Sequence, residues 1–240
     1  MSPKQRVAQQ PAFVLHSHPW RETSLIVEIL ARDYGRVALV AKGARRPLSA
    51  LRGVLMGFQP LTMDWSGGGE VKTLVRAEWQ GGQPLLTGRA LLCGYYLNEL
   101  LVRLTAREDA HPRLFEDYAE ALRELARHKA LAPVLRRFEL ALLRELGYGP
   151  ALECEAGSDA PIEAAARYAY IIEKGPVRLA VEAGGEPGFS GRTLLDLAAN
   201  AFERPETLAQ GKVLLRMLIN HYLGGQPLQS RRVFEELQEL

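Results

Sequence analysis

Cysteine is nearly absent. Cys93 and Cys154 are the only two among 240 residues, too few for a disulfide framework or a four-thiolate metal site, so the chain reads as a protein of a reducing, cytoplasmic compartment. Long apolar runs are missing as well. The longest, LLCGYYLNELLVRL, is broken by Asn98, Glu99 and Arg103 before the roughly 18 residues a membrane span requires. The opening MSPKQRVAQQPAFVLHS has no extended apolar core of the signal-peptide kind. No internal repeat or low-complexity tract is present. The remaining composition, 47% hydrophobic and 24% charged with 22 Gly and 14 Pro, is that of a soluble globular protein and excludes collagen and extensive disorder. The length suits either one large domain or two smaller ones.

Signatures of catalysis are equally scarce. Gly67-Gly68-Gly69 does not continue as a dinucleotide-binding loop, and Gly211-Lys212 runs into Val213 without the upstream glycine of a P-loop. Around Ser190 the order Gly188-Phe189-Ser190-Gly191-Arg192 puts the second glycine one place too early for a nucleophile elbow. Cys93 sits in an apolar helical run and reads as a buried small side chain. His16 and His18 share a strand face but have no carboxylate or thiol at ligand spacing, so they read as edge histidines rather than a metal site. Glu116-Asp117 and Glu235-Glu236 fall in amphipathic helices as solvated faces. The expectation is a protein without catalytic residues, cofactor or metal.

The charge is unevenly spread. Residues 1–90 carry 12 Lys and Arg against 6 Asp and Glu, net +6, whereas residues 91–240 carry 18 against 22, net −4. A basic first third suggests contact with a polyanion, although a solvated surface gives the same count.

Up to about Gln80 the pattern is of short β-branched runs, AFVLHS, TSLIVEIL, GRVALVAK, PLTMDW and EVKTLVRAEW, separated by turn residues. Five strands without a long intervening helix predict a small barrel of OB type, and the link GARRPLSALRGVLMGFQ has room for a helical turn or two. From Leu91 the period becomes helical: Leu114, Tyr118, Ala121, Leu122 and Leu125 share one face, as do Val134, Leu135, Phe138, Leu142 and Leu146 before the stop at Gly147. Helices are expected over Arg192–Phe202 and Glu206–Leu223, with Ser230 capping VFEELQEL. RYAYIIEK and PVRLAVEA, either side of Lys174-Gly175-Pro176, predict two paired strands. The fold class is therefore α+β and multidomain: an OB-fold barrel over 1–80, a helical domain over 81–150 and 189–240, and a small β-rich insertion over 151–188.

Within the barrel one basic set stands out. Arg36 and Lys42 share a strand parity opposite Val37, Leu39 and Ala41, and Lys72 and Arg76 share one opposite Val71, Thr73 and Val75. Lys42 leads directly to Arg45, Arg46 and Arg52, four cations in eleven residues. The arginine fork suits phosphate, and Gly43 would let backbone approach a nucleic-acid strand or simply serve a turn. Trp20, Trp65, Trp79 and Phe58 could stack bases, but small barrels more often use aromatics as core.

The segments FVLHSHPWRETSLIVEIL, RVALVAKGARRPLSALRG, GGGEVKTLVRAE, YYLNELL, RRFELALLRELGYG and YLGGQPLQSR, in this order and spacing, closely resemble the RecO family of bacterial recombination mediators over nearly the whole chain. That resemblance implies an N-terminal OB domain, a central helical domain and no enzymatic active site. It implies binding of single- and double-stranded DNA, annealing of strands coated with single-strand-binding protein, and cooperation with RecR in loading RecA at gaps, in the cytoplasm at the nucleoid. The family's DNA-contacting region falls on Arg36, Lys42, Arg45, Arg46, Arg52, Lys72 and Arg76. Its groove for the acidic tail of single-strand-binding protein falls on Arg136, with Leu135 and Phe138 beside it. Many relatives carry a four-cysteine zinc site in the segment equivalent to 151–188. Only Cys154 stands there in this chain, so zinc does not carry over and the hairpin is expected to be held by packing alone. Two other functions compete: a metal-dependent nuclease using acids such as Asp33, Asp64 and Glu78, and a helical scaffold whose barrel only supports protein contacts.

Overall fold

A computed structural model describes residues 5–127, 130–180 and 188–238. The chain divides into two compact units, residues 1–129 with 228–240, and residues 130–227.

The first unit is built on a closed five-strand barrel. Its strands are β1 (Gln5–Trp20), β2 (Ser24–Ala31), β3 (Gly35–Ala41), β4 (Leu61–Gly67) and β5 (Val71–Trp79), arranged in the order β1-β2-β3-β5-β4. All neighbours are antiparallel except β3 and β5, as in an OB-type barrel. β1 is long enough to pair with β4 through its first half and with β2 through its second. Register shifts between Val7 and Gln10 and between Val14 and His16 bend it, the device by which one strand serves both sides of a closed barrel. Val7, Val14, Val27, Ile29, Leu39, Leu61, Met63, Trp65 and Leu74 fill the interior. The expected helical turn in the long link is α1 (Leu51–Val54).

The five strands lie where the alternation predicts them, but the faces of β5 do not. Lys72 is 7% exposed and has the same facing as buried Leu74, while Val71 and Val75 are 42% and 54% exposed. The parallel register sets Lys72 opposite core residue Leu39. A further shift between Asp64 and Trp65 makes Val75 an extra residue and turns Arg76 outward. A lysine stem tolerates such a place because its four methylenes are apolar and its ammonium can reach past them.

Three helices complete this unit: α2 (Gly88–Leu104), α3 (Pro112–Ala126) and α7 (Gln229–Gln238). The polar interruptions in the apolar run of α2 have structural duties. Asn98 Nδ2 donates 2.8 Å to the Leu15 carbonyl, and the Tyr118 hydroxyl of α3 donates 2.5 Å to Asn98 Oδ1, all within the buried interior. Leu15 is the extra residue of the β1 bulge, so its carbonyl needs a partner from outside the ladder. Glu99 accepts from the Gln229 and Ser230 amides, both at 2.9 Å, and from the Ser230 hydroxyl at 2.7 Å. The expected cap, Ser230, thus lies inside the first turn of α7, and a glutamate 130 residues earlier fills the capping role.

The second unit contains α4 (Leu131–Glu145), β6 (Arg167–Ile171), β7 (Gly175–Arg178), β8 (Phe189–Ser190), α5 (Gly191–Ala198) and α6 (Pro205–Tyr222). Leu142, Leu143, Leu194, Leu197, Leu214, Leu215 and Leu218 are among its buried apolar residues. The expected hairpin is β6 paired with β7, with β8 added on the other edge of β6. Packing does not hold it alone. Buried Tyr168 donates through its hydroxyl to Glu155 and accepts from the Glu163 amide, and Arg178 grips the Glu163 carboxylate through two 2.7 Å bonds. A tyrosine and a bidentate ion pair therefore tie this segment together. Among the described residues, no three His, Cys, Asp or Glu side chains converge as a metal site, and no helix is long and apolar enough to cross a membrane.

Candidate nucleic-acid interface

Two short segments meet at one end of the barrel. The turn Arg21–Thr23 joins β1 to β2, and residues 42–46 follow β3. The Arg45 amide donates 2.9 Å to the Thr23 carbonyl, and its guanidinium donates to the carbonyls of Arg21 and Glu22 at 3.3 and 3.2 Å. The link then winds through Arg46 to Gly43, Ser49 to Arg46 and Arg52 to Ser49 backbone bonds. Gly43 has φ +69°, and a Cβ there would meet the Arg46 side chain at 3.5 Å. Its positive φ places it as a turn glycine beside Arg46.

Lys42, Arg45, Arg46 and Arg52 are all exposed, and Arg21 joins them on the adjoining turn. Among the described residues none of these five forms an ion pair with a carboxylate. Unneutralised guanidinium and ammonium groups held together by backbone bonds make a surface that attracts phosphate. Beside them lies the outer face of the sheet. Cross-strand register aligns His18, Ile26, Val40 and Thr73 in one row, and His16, Glu28, Ala38 and Val71 in the next. Trp20, 43% exposed, ends the β1 contribution, with the Arg21 guanidinium 5.9 Å from its ring. Trp65 and Phe58 are buried, whereas Trp79 is exposed on β5.

The other three predicted cations are placed differently. Arg36 is largely buried, donating 2.9 Å to the Thr105 carbonyl and 3.3 Å to Glu28, which also takes Arg107. Lys72 is bonded to Glu108 and to the Gly69 carbonyl. Both tie residues 105–108 to the barrel, where the Glu108 amide also donates to the Arg36 carbonyl. They are therefore not open phosphate contacts. Arg76 is exposed but clamped by Glu78. The missed contributor is Arg21, whose signal was its place in the turn beside Trp20.

In the second unit, Arg136, which the resemblance places at the tail groove, is an interior residue. It is 7% exposed on α4 and donates 2.5 Å to Glu139, itself buried one turn on. Phe138 is buried and Leu135 half-buried. One guanidinium nitrogen thus serves an internal carboxylate, while Arg136 Nε is buried without a hydrogen-bond partner among the described residues.

The acids a nuclease would use are likewise committed and dispersed. Asp33 takes Arg32 and Gln10, Asp64 accepts from the Gln9 amide at 2.7 Å, and Glu78 holds Arg76. The bonds from Arg32 and Gln10 keep the Asp33 carboxyl below the usual carboxylate range.

Comparison with known proteins agrees with this architecture over its whole length. The profile of Recombination protein O, N terminal, matches residues 4–82, and that of Recombination protein O, C terminal, matches residues 85–232. The chain is 75% identical over 240 residues to the DNA repair protein RecO of Aromatoleum aromaticum and 68% identical over 245 residues to that of Azoarcus sp., with 100% of both chains covered in each case. The DNA repair protein RecO of Dechloromonas aromatica is 54% identical over 243 residues, again covering 100% of both chains. The chain thus belongs to the RecO family, and its role lies in DNA repair and recombination.

Proposed function

We propose that this protein is a non-enzymatic mediator that binds single- and double-stranded DNA, anneals complementary strands coated with single-strand-binding protein and, with RecR, promotes RecA loading at gaps at the nucleoid. One observation carries the DNA-binding part. Lys42, Arg45, Arg46 and Arg52 are exposed together on one end of the barrel, with no carboxylate partner among the described residues. Two complementary strands repel one another, and a cationic edge that holds one strand by its phosphates lowers that repulsion while leaving base edges free to pair. Nothing in this step consumes a nucleotide, in keeping with the missing P-loop. Contact with the acidic tail of single-strand-binding protein is assigned to the α4 segment around Leu135, Arg136 and Phe138, where Arg136 keeps a buried Nε donor beyond its bond to Glu139.

The test is annealing of complementary oligonucleotides, with and without single-strand-binding protein, over a range of salt. Annealing should be fastest at low salt, and single-strand affinity should fall by about 0.7 log unit per log unit of salt for each phosphate contacted. Binding indifferent to salt, or no binding at low salt, would refute the proposal. Cleavage of labelled DNA in Mg²⁺ would favour the nuclease instead.

A further inference from the structure

Three side chains beside the cationic edge have no structural duty. His16, His18 and Trp20 occupy alternate positions of β1 and share its outward face, since His18 pairs with Ile26 and Ile26 with Val40, neither of them in the barrel core. All three are exposed. No hydrogen bond or ion pair with a described residue engages either imidazole or the indole. Burial therefore does not explain their rings, and the fold would lose little without them.

Their spacing indicates what they fit. Residues on one face of a strand recur every 6.6 to about 6.8 Å, twice the roughly 3.4 Å rise between stacked bases. The His16 and His18 rings face one another with centroids 6.1 Å apart and planes inclined by 29°. A small rotation of either ring opens a slot one base thick. Trp20 offers the next surface along the strand, with Arg21 at one side of its ring. Glu28, the carboxylate opposite His16 in register, is neutralised by Arg36 and Arg107, so it does not repel a strand laid across this face.

We infer that His16, His18 and Trp20 form a stacking ladder for unpaired nucleobases, which gives the barrel a preference for single strands. This rests on the DNA-binding reading above, with Lys42, Arg45 and Arg46 holding the phosphates of the same strand. Bases inside a duplex are already stacked on one another and cannot enter the ladder, whereas unpaired bases of any identity can, because each has a π-face.

The test compares fluorescence anisotropy of the full chain on an oligothymidine strand with that on an abasic tetrahydrofuran strand of equal phosphate number. The natural chain should prefer the oligothymidine by at least about tenfold, stacking being worth roughly a fivefold to hundredfold change per base. His16→Ala, His18→Ala and Trp20→Ala combined should abolish that preference and leave abasic-strand affinity unchanged. Trp20→Phe should retain most of it and lose the quenching of indole fluorescence on binding. Lys42→Ala, Arg45→Ala and Arg46→Ala combined should weaken both strands and preserve the preference. Equal, tight binding of both strands by the natural chain, or a persisting preference in the ring-deleted variant, would overturn the ladder and leave the cationic edge intact. Failure to bind either strand at low salt would overturn both.

Discussion

Removing Lys42, Arg45 and Arg46 together, by alanine, tests whether local neutralisation decides which cations serve DNA. Three lost phosphate contacts should flatten the single-strand salt slope by about 2 log units per log unit of salt. Between 50 and 200 mM salt the natural chain should therefore lose roughly twentyfold more affinity than the variant. Stability should hardly change, because the side chains are exposed and only Arg45 makes side-chain bonds, to the carbonyls of Arg21 and Glu22. Arg36→Ala should do the reverse. It strips one of two cations from buried Glu28 and two bonds from the Thr105 carbonyl, a loss of about 1.5–3 kcal/mol and a fall in Tm of roughly 5–10 °C for a unit of this size, with the salt slope intact. Anisotropy titrations at several salt concentrations, paired with thermal melts, separate the two outcomes. An unchanged slope in the triple variant would refute the assignment of the cationic edge, and a flattened slope without a lower Tm in Arg36→Ala would refute its structural role.

Three further outcomes follow from the interior. Asn98→Leu removes a hydrogen-bond partner of both the Leu15 carbonyl and the Tyr118 hydroxyl and should cost about 3 kcal/mol in chemical denaturation, while Tyr118→Phe should cost about 1–2; equal, negligible effects would mean the network contributes nothing. Arg136→Ala removes the cation bonded to buried Glu139 and should cost about 3–5 kcal/mol, and Arg136→Met with Glu139→Leu should recover most of it; an alanine variant as stable as the natural chain but deficient in tail-peptide binding would assign Arg136 to the tail groove instead. Burial opposes the charge on Glu99, but bonds from Ser230 and Gln229, with Arg103, outweigh it and hold the carboxyl below its usual range. A lowered folded-state value means stabilisation present above about pH 4.5 and lost as pH falls through the folded value, so Glu99→Gln should lower stability at neutral pH and flatten its acid dependence; melts with parallel acid dependence would refute this.

How much of this was legible in the sequence depended on how far apart the partners stand. Strand positions were readable because alternation is local, and so was the edge at Lys42–Arg52. Residues 34–63 contain no Asp or Glu at all, so nothing nearby in sequence could neutralise those cations. Arg36 and Lys72 had the same alternation, but their partners Glu28, Thr105 and Glu108 lie on a neighbouring strand or in a segment up to 69 residues on. No local pattern records such pairs. The facing of β5 failed for a related reason, since both its parallel pairing and its bulge are properties of the closed barrel. The burial of Arg136 was not legible because a helical arginine beside apolar residues reads as amphipathic surface, while Glu139, one turn away, was the available sign of an internal pair.

A single insertion in β1 connects the covered and open parts of the barrel surface. Phe13 faces outward and is covered by α3, where its ring meets Phe115 at 5.3 Å and Tyr118 at 5.2 Å. Val14 turns into the barrel core, Leu15 is the extra residue, and His16 resumes the outward face opposite Glu28. Were Leu15 an ordinary ladder residue, strict alternation from Phe13 would send Leu15 and Ser17 outward and His16, His18 and Trp20 into the barrel. The bulge therefore sets the facing of the three exposed rings, and the carbonyl it frees is the one Asn98 binds to anchor α2. Because the same irregularity positions the helices and the open face, a destabilised Asn98→Leu chain should also show a weaker preference for single strands over duplex, even though residue 98 touches no candidate DNA contact. Unchanged selectivity in a folded Asn98→Leu protein would show that the bulge keeps its geometry without its helical anchor.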